Sequence, residues 1–192
     1  MTGLTVPSGE YAWWGGAASN SLAYLRHAFD FSDVAGDIFF EYDVNFNIET
    51  DYDYYYLLLE DENGKIVRLS PSTATGSNPA GQNRGSGTTG TSEGVLHEVI
   101  SLNSWAGQSV RISFVYLTDT AGVSNGILLD NFQISAIGFY DNAETNDNGW
   151  ESAGFFRIAS ARPQRWSLTV LHPKEDSTSA AEFFTFNGGD TI

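Results

Sequence analysis

Cysteine is absent from the chain, and basic residues are scarce, with 9 Lys and Arg against 24 Asp and Glu. The first absence excludes disulfide bonds, cysteine-ligated zinc and thiol catalysis. The second gives a formal net charge of -15 over 192 residues. Such a surface repels phosphate backbones and anionic lipids, so we expect no nucleic-acid partner. We also expect no membrane insertion, because no run approaches the roughly 18 apolar residues of a membrane helix. Residues 1–11 lack a basic region and an apolar stretch, so we expect no signal peptide in this chain.

Apolar residues alternate with polar ones over long stretches. Hydrophobic residues make up 41% of the chain and aromatic residues 14%, which is enough for a core. Residues 38–48 place Ile, Phe, Tyr and Val at every second position, and residues 110–116 repeat this pattern. A period of two predicts strands with one buried face. Residues 54–59 and 66–69 flank Asn63-Gly64, which favours a tight hairpin turn.

No window of helical length has an apolar stripe, and further strands are predicted at residues 127–135, 164–171 and 182–186. Residues 71–92 are nearly all small or polar and predict a long surface loop. The pattern therefore predicts an all-β fold, a two-sheet antiparallel jelly-roll-like sandwich. We assign the sandwich to residues 1–137. Residues 138–192 are expected to add strands that pack on it, or to begin a neighbouring β module.

Several ordered motifs resemble the MAM-like module of the immune inhibitor A family of secreted metallopeptidases. They are Trp14-Gly15-Gly16 with Ser19-Asn20-Ser21-Leu22, Tyr42-Asp43-Val44 with Glu49-Thr50-Asp51-Tyr52-Asp53-Tyr54, Trp105-Ala106-Gly107-Gln108-Ser109-Val110 with residues 112–119, and Leu129-Asp130-Asn131-Phe132. Residues 141–144 and 149–150 resemble the start of that family's next β module. The resemblance implies a jelly-roll sandwich with structural calcium, lying beside a zinc peptidase domain and outside the cell.

Acidic residues at strand ends are the candidate metal ligands. Glu49, Asp51 and Asp53 cluster after a long strand, and Asp130 lies among apolar residues where an unpaired carboxylate is costly. A further pair is Asp141 and Glu144. Carboxylate oxygens suit Ca²⁺, so we predict structural calcium at one or more of these positions. The alternative for each is a solvated turn or a structural hydrogen bond.

Catalytic motifs are missing from the sequence. His97-Glu98 has Ser101 where a zinc peptidase needs its second His, and no nucleophile elbow or phosphate loop is present. We therefore predict no enzyme activity, but an accessory module of a secreted, extracellular protein that contacts a protein or cell-surface component. Two alternatives remain open. Aromatic rings could make it a carbohydrate-binding module with a glycan ligand, or self-assembly could make it a structural subunit of an extracellular assembly. The six rings considered are Trp13, Trp14, Tyr52, Tyr54, Trp105 and Trp150.

Overall fold

Strands form almost all of the regular structure in the computed structural model, which describes residues 3–122, 124–159, 165–173 and 179–187. The strands are β1 (Tyr11–Trp14), β2 (Leu22–Asp30), β3 (Phe39–Asn47), β4 (Tyr54–Asp61), β5 (Ile66–Leu69), β6 (Leu96–Ser101), β7 (Ser109–Leu117), β8 (Gly126–Ile134), β9 (Phe139–Asp141), β10 (Glu151–Ala153), β11 (Phe156–Ala159), β12 (Arg165–Pro173) and β13 (Ser179–Asn187). Two short 3-10 helices cover Asn103–Trp105 and Ser135–Ile137. Within these ranges, no helix is long and apolar enough to span a membrane.

Two antiparallel sheets face each other. Sheet A has the order β11-β1-β8-β3-β6, with β9 paired to β8, and sheet B has the order β10-β2-β7-β4-β5. The first eight strands therefore lie in the orders 1-8-3-6 and 2-7-4-5, which is the winding of a jelly roll. The predicted fold class is confirmed.

The core lies between the sheets and follows the period-two pattern. Alternate residues of β3 and β7 point inward, so Phe114 and Tyr42 are fully buried and their ring centroids lie 4.9 Å apart. Trp150 is part of the buried core and packs against Phe132, with the two ring centroids 4.4 Å apart. The Tyr42 and Phe114 rings meet edge to face, which adds an electrostatic attraction to the apolar area that they bury.

Strands β9, β10 and β11 extend the two sheets, since they pair with β8, β2 and β1 respectively. Residues 1–160 form one compact unit and residues 161–192 a second unit. In the second unit, β12 pairs with β13 in a continuous register from Arg165↔Asn187 to Pro173↔Ser179. The predicted domain division at residue 137 stays a prediction.

The loop between β5 and β6 is bound to the sandwich. Its backbone forms bridges at Tyr55↔Thr88 and Asn47↔Thr91. The backbone N–H and the hydroxyl of Ser72 donate hydrogen bonds of 2.7 Å and 2.8 Å to the buried carboxylate of Glu98. The predicted surface loop therefore also covers part of the sandwich.

Candidate functional site

Three carboxylates meet at one end of the sandwich. Glu49 and Asp53 belong to the turn between β3 and β4, and Asp119 follows the end of β7. One carboxylate oxygen from each residue lies within 4.8 Å of one from each of the others. The three are close because β4 and β7 are neighbours in sheet B, with Tyr54 opposite Leu117.

The β3–β4 turn is folded so that it presents Glu49 and Asp53 together. The Asp53 N–H donates to the Glu49 carbonyl at 3.0 Å, which closes one turn of chain. Asp51, at the tip, has a φ of 70° and donates its N–H to the Thr89 hydroxyl at 2.9 Å. Asp51 lies outside the three-carboxylate group, whereas the sequence had placed it inside.

Burial makes this site electrostatically unfavourable without a cation. Asp53 is only 1% exposed, and its burial raises the pKa of its carboxyl, with smaller contributions from Glu49 and Asp119 in the same direction. The Asp119 N–H partly offsets this by donating to Asp53 Oδ1 at 2.9 Å. The pKa of the neighbouring Tyr116 is also raised, mainly by burial and to a smaller extent by the charge of Asp53.

One oxygen in the group has no hydrogen-bond donor. Glu49 Oε2 is buried and no described residue donates to it. A Cβ on Gly122, whose φ is 82°, would lie 2.2 Å from this atom, so glycine is required there both by conformation and by space. A buried acceptor without a donor is costly, and a cation would satisfy it.

The donor set fits a hard divalent cation. Ca²⁺ holds oxygens at about 2.3–2.6 Å, so two ligands of one ion lie at most about 5 Å apart, which the 4.8 Å limit satisfies. None of the ion pairs among the described residues involves Glu49, Asp53 or Asp119, so no basic side chain in that part of the chain pairs with the group. Oxygen-only ligands favour calcium over zinc.

Asp130, predicted as a calcium ligand, is fully buried and has donors from the protein. Ser8 donates its N–H and its hydroxyl to Oδ2, both at 3.1 Å, and the Asn131 N–H donates to Oδ1 at 2.8 Å. The pKa of Asp130 is raised to about 6, mainly by burial and to a small extent by the charge of Glu144, while the hydrogen bonds from Asn131 and Ser8 lower it. The residue anchors the segment before β1 to sheet A, and calcium binding there stays a prediction.

Asp141 and Glu144, the other predicted pair, also accept hydrogen bonds from the chain. Asp141 accepts from the Ala143 N–H at 3.0 Å and from the Trp150 indole N–H at 2.8 Å. Glu144 Oε1 accepts from the N–H groups of Glu10 and Tyr11, at 2.8 Å and 2.9 Å. Each carboxylate thus has a structural partner, and a metal at this pair stays a prediction.

The remaining candidate residues are spread over the sandwich. His97 lies on β6, with Nδ1 2.7 Å from Asp43 and Nε2 3.3 Å from Glu41, and β6 is a strand rather than a zinc-peptidase helix. Among the six aromatic candidates, three are buried and cannot offer a ring face to a sugar. These are Trp13, Tyr54 and Trp150.

The fold and the carboxylate group define a β-sandwich module with a candidate cation site. The model of the family described as "Immune inhibitor A-like, MAM domain" matches residues 1–160, so the chain belongs to this family and the resemblance is confirmed. Two similar relatives are proteins named "Pre-pro-metalloprotease PrtV", from Vibrio cholerae serotype O1 strains M66-2 and ATCC 39315 / El Tor Inaba N16961. Each is 33% identical over 104 residues, which is 52% of this chain and 11% of the relative. The chain therefore spans a small part of the relatives that it matches.

Asp119 is the site residue that sequence reasoning missed. It follows the end of β7 in a motif that carried the family resemblance, but nothing in its local pattern marks it as a ligand. The signal for Asp119 lies in the topology. The end of β7 lies beside the start of β4, and this can be predicted only when the strand order is known.

Proposed function

We propose that this chain is a non-catalytic accessory module of a secreted metallopeptidase of its family, stabilised by calcium and contacting protein. The observation that carries the proposal is the convergence of Glu49, Asp53 and Asp119, with Glu49 Oε2 buried and lacking a donor. The relatives' name, which is that of a metalloprotease precursor, supports a place in a peptidase assembly and an extracellular setting.

Calcium would act by joining two loops. Glu49 and Asp53 lie in the β3–β4 turn and Asp119 lies after β7, so one ion would cross-link segments 66 residues apart in sequence. The unfolded chain does not hold these carboxylates together, so the ion binds the folded state alone. At 100 times the dissociation constant, such binding adds about 2.7 kcal/mol of stability. For extracellular modules that constant is about 10⁻⁴–10⁻³ M.

The test is a pair of melting curves for the full chain, one in excess calcium and one in chelator. We expect a higher midpoint in calcium for the parent protein, and most of that difference should be lost in Asp119→Asn. Asp51→Asn is the matched control, because it removes the same charge from the same end of the sandwich without touching the group. Equal midpoints in calcium and chelator for the parent protein would contradict the proposal.

A further inference from the structure

The outer face of sheet B is divided into an apolar end and an acidic end. Along β2 and β7 the outward residues pair in register, beginning with Leu22↔Leu117 and Tyr24↔Val115 and ending with Asp30↔Ser109. The exposed face of an antiparallel sheet is ordinarily polar. Here the first two pairs are apolar or aromatic, so this end departs from that pattern.

Among the described residues of the first unit, no loop covers the apolar end. Leu22 is 62% exposed, and its neighbours Tyr24, Val115 and Leu117 are half-buried. On β4, by contrast, the long β5–β6 loop covers the outer face, since Gly87 lies against Tyr54 and Tyr56. The uncovered strip therefore lies over β2 and β7. We name the strip of Leu22, Tyr24, Val115 and Leu117 the apolar strip.

A cleft of about 490 Å³ lies at the acidic end, where sheet B stops, and its lining includes the inward-facing Phe29 and Val110. Its acidic lining residues are Asp30, Glu60, Asp61 and Glu62. Arg111, also in the lining, pairs with Glu60 at 3.0 Å, so three carboxylates remain without a basic partner among the described ion pairs. The Ser32 N–H lowers the pKa of Asp30, which keeps that carboxylate ionised.

We infer that this face docks a protein segment that carries apolar side chains at one end and lysine or arginine at the other. This docking rests on the protein contact proposed above, and it specifies which surface of the chain makes that contact and which side chains the partner carries. Charge complementarity selects the occupant, because uncompensated carboxylates in a cleft attract cations and repel anionic partners. Leu22 and Asp30 are eight residues apart, which is about 26 Å along a strand, so an extended segment of about eight residues spans the face.

A glycan fits this face less well than a peptide. Tyr24 is the aromatic ring of the apolar strip, and the guanidinium of Arg26 already lies 4.9 Å from its centroid. A neutral sugar would also leave the carboxylates of the cleft without a partner, whereas a basic segment would satisfy them.

The experiment measures fluorescence anisotropy of a labelled synthetic peptide titrated with the full chain in excess calcium. The peptide carries three lysines at one end and three leucines, separated by serines, at the other. We expect the pair Asp30→Asn and Glu62→Gln to weaken binding about tenfold. The pair Glu10→Gln and Glu93→Gln removes the same charge from exposed positions outside the cleft, and should change affinity less than twofold. Leu22→Ser tests the apolar strip, and it should also weaken binding by several-fold.

Three outcomes would overturn the inference. These are no binding by the parent protein, equal weakening in the two charge-matched pairs, and binding of a neutral glucan hexasaccharide that Leu22→Ser abolishes. A melting curve in calcium and chelator for each variant keeps the two proposals separate. If the calcium shift is retained and the peptide does not bind, the docking face is wrong and the calcium site stands.

Discussion

The backbone N–H of Asp119 donates a 2.9 Å hydrogen bond to Oδ1 of Asp53, across 66 residues of sequence. This bond joins the ends of two neighbouring strands of sheet B and holds both carboxylates beside Glu49. The jelly-roll winding thus assembles from two distant loops a site that neither loop could form alone.

Gly122→Ala should disturb this site directly. Its φ of 82° disfavours a side chain, and the added Cβ would lie 2.2 Å from Glu49 Oε2. We expect a loss of about 1–3 kcal/mol in the free energy of unfolding together with weaker calcium binding. Urea denaturation and a calcium titration of the variant measure the two effects.

Gly64→Ala is the matched control for that variant. Gly64 has a φ of 77°, and an added Cβ would meet nothing within 4 Å. It should therefore lose only the conformational part, about 1–2 kcal/mol, with calcium binding intact. If the two variants lose equal stability and both bind calcium normally, Gly122 has no special relation to Glu49.

A separate prediction concerns the stability that the core side chains contribute. Phe114 is fully buried and lies in ring contact with Tyr42, so Phe114→Ala should lower the free energy of unfolding by about 3–5 kcal/mol. Val99, on the outer face of sheet A, is 52% exposed, and Val99→Ala should cost under about 0.5 kcal/mol. Similar denaturation midpoints for the two variants would contradict the assigned core.

The raised pKa of Asp130 predicts how the stability of the chelator-treated chain changes with pH. Burial raises its pKa from 3.8 to about 6, so between these values the folded state holds a proton that the unfolded state has released. The free energy of unfolding contributed by Asp130 therefore falls as pH rises from about 4 to 6. Asp130→Asn should reduce the fall by about 1–2 kcal/mol, allowing for screening by solvent. Asp30, with a lowered pKa, contributes the opposite slope, so Asp30→Asn should not flatten the curve.

The purified chain should not cleave casein in zinc or in calcium. His97 faces two carboxylates from a strand, and the family match covers the MAM region. Release of peptides from casein, measured by mass spectrometry and abolished in His97→Ala, would show that the accessory role is wrong.

Sequence periodicity was sufficient for the sandwich because a strand's inward and outward positions are fixed by its own residues. The alternation in residues 38–48 and 110–116 predicted the buried faces of β3 and β7, and Phe46 and Val110 are buried accordingly. The sequence predicted the fold class but not which strands pair, because a period of two does not encode the order of strands in a sheet.

The candidate site was predicted in part for the same reason. Glu49 and Asp53 lie in one turn, so local spacing could group them, whereas Asp119 joins them only through the pairing of β4 with β7. The apolar neighbours of Asp130 in sequence predicted that this charge is buried. Its donors are the adjacent Asn131 and Ser8, and no local pattern indicates Ser8, which lies 122 residues away.

Calcium binding by the three-carboxylate group is tested most directly by isothermal titration calorimetry of the chelator-treated chain with calcium chloride. We expect saturable binding at one site that Asp119→Ala and Asp53→Asn both abolish and that Asp51→Asn leaves within about twofold of the parent affinity. Absence of binding heat in the parent protein, or a titration that is unchanged in Asp119→Ala, would contradict it.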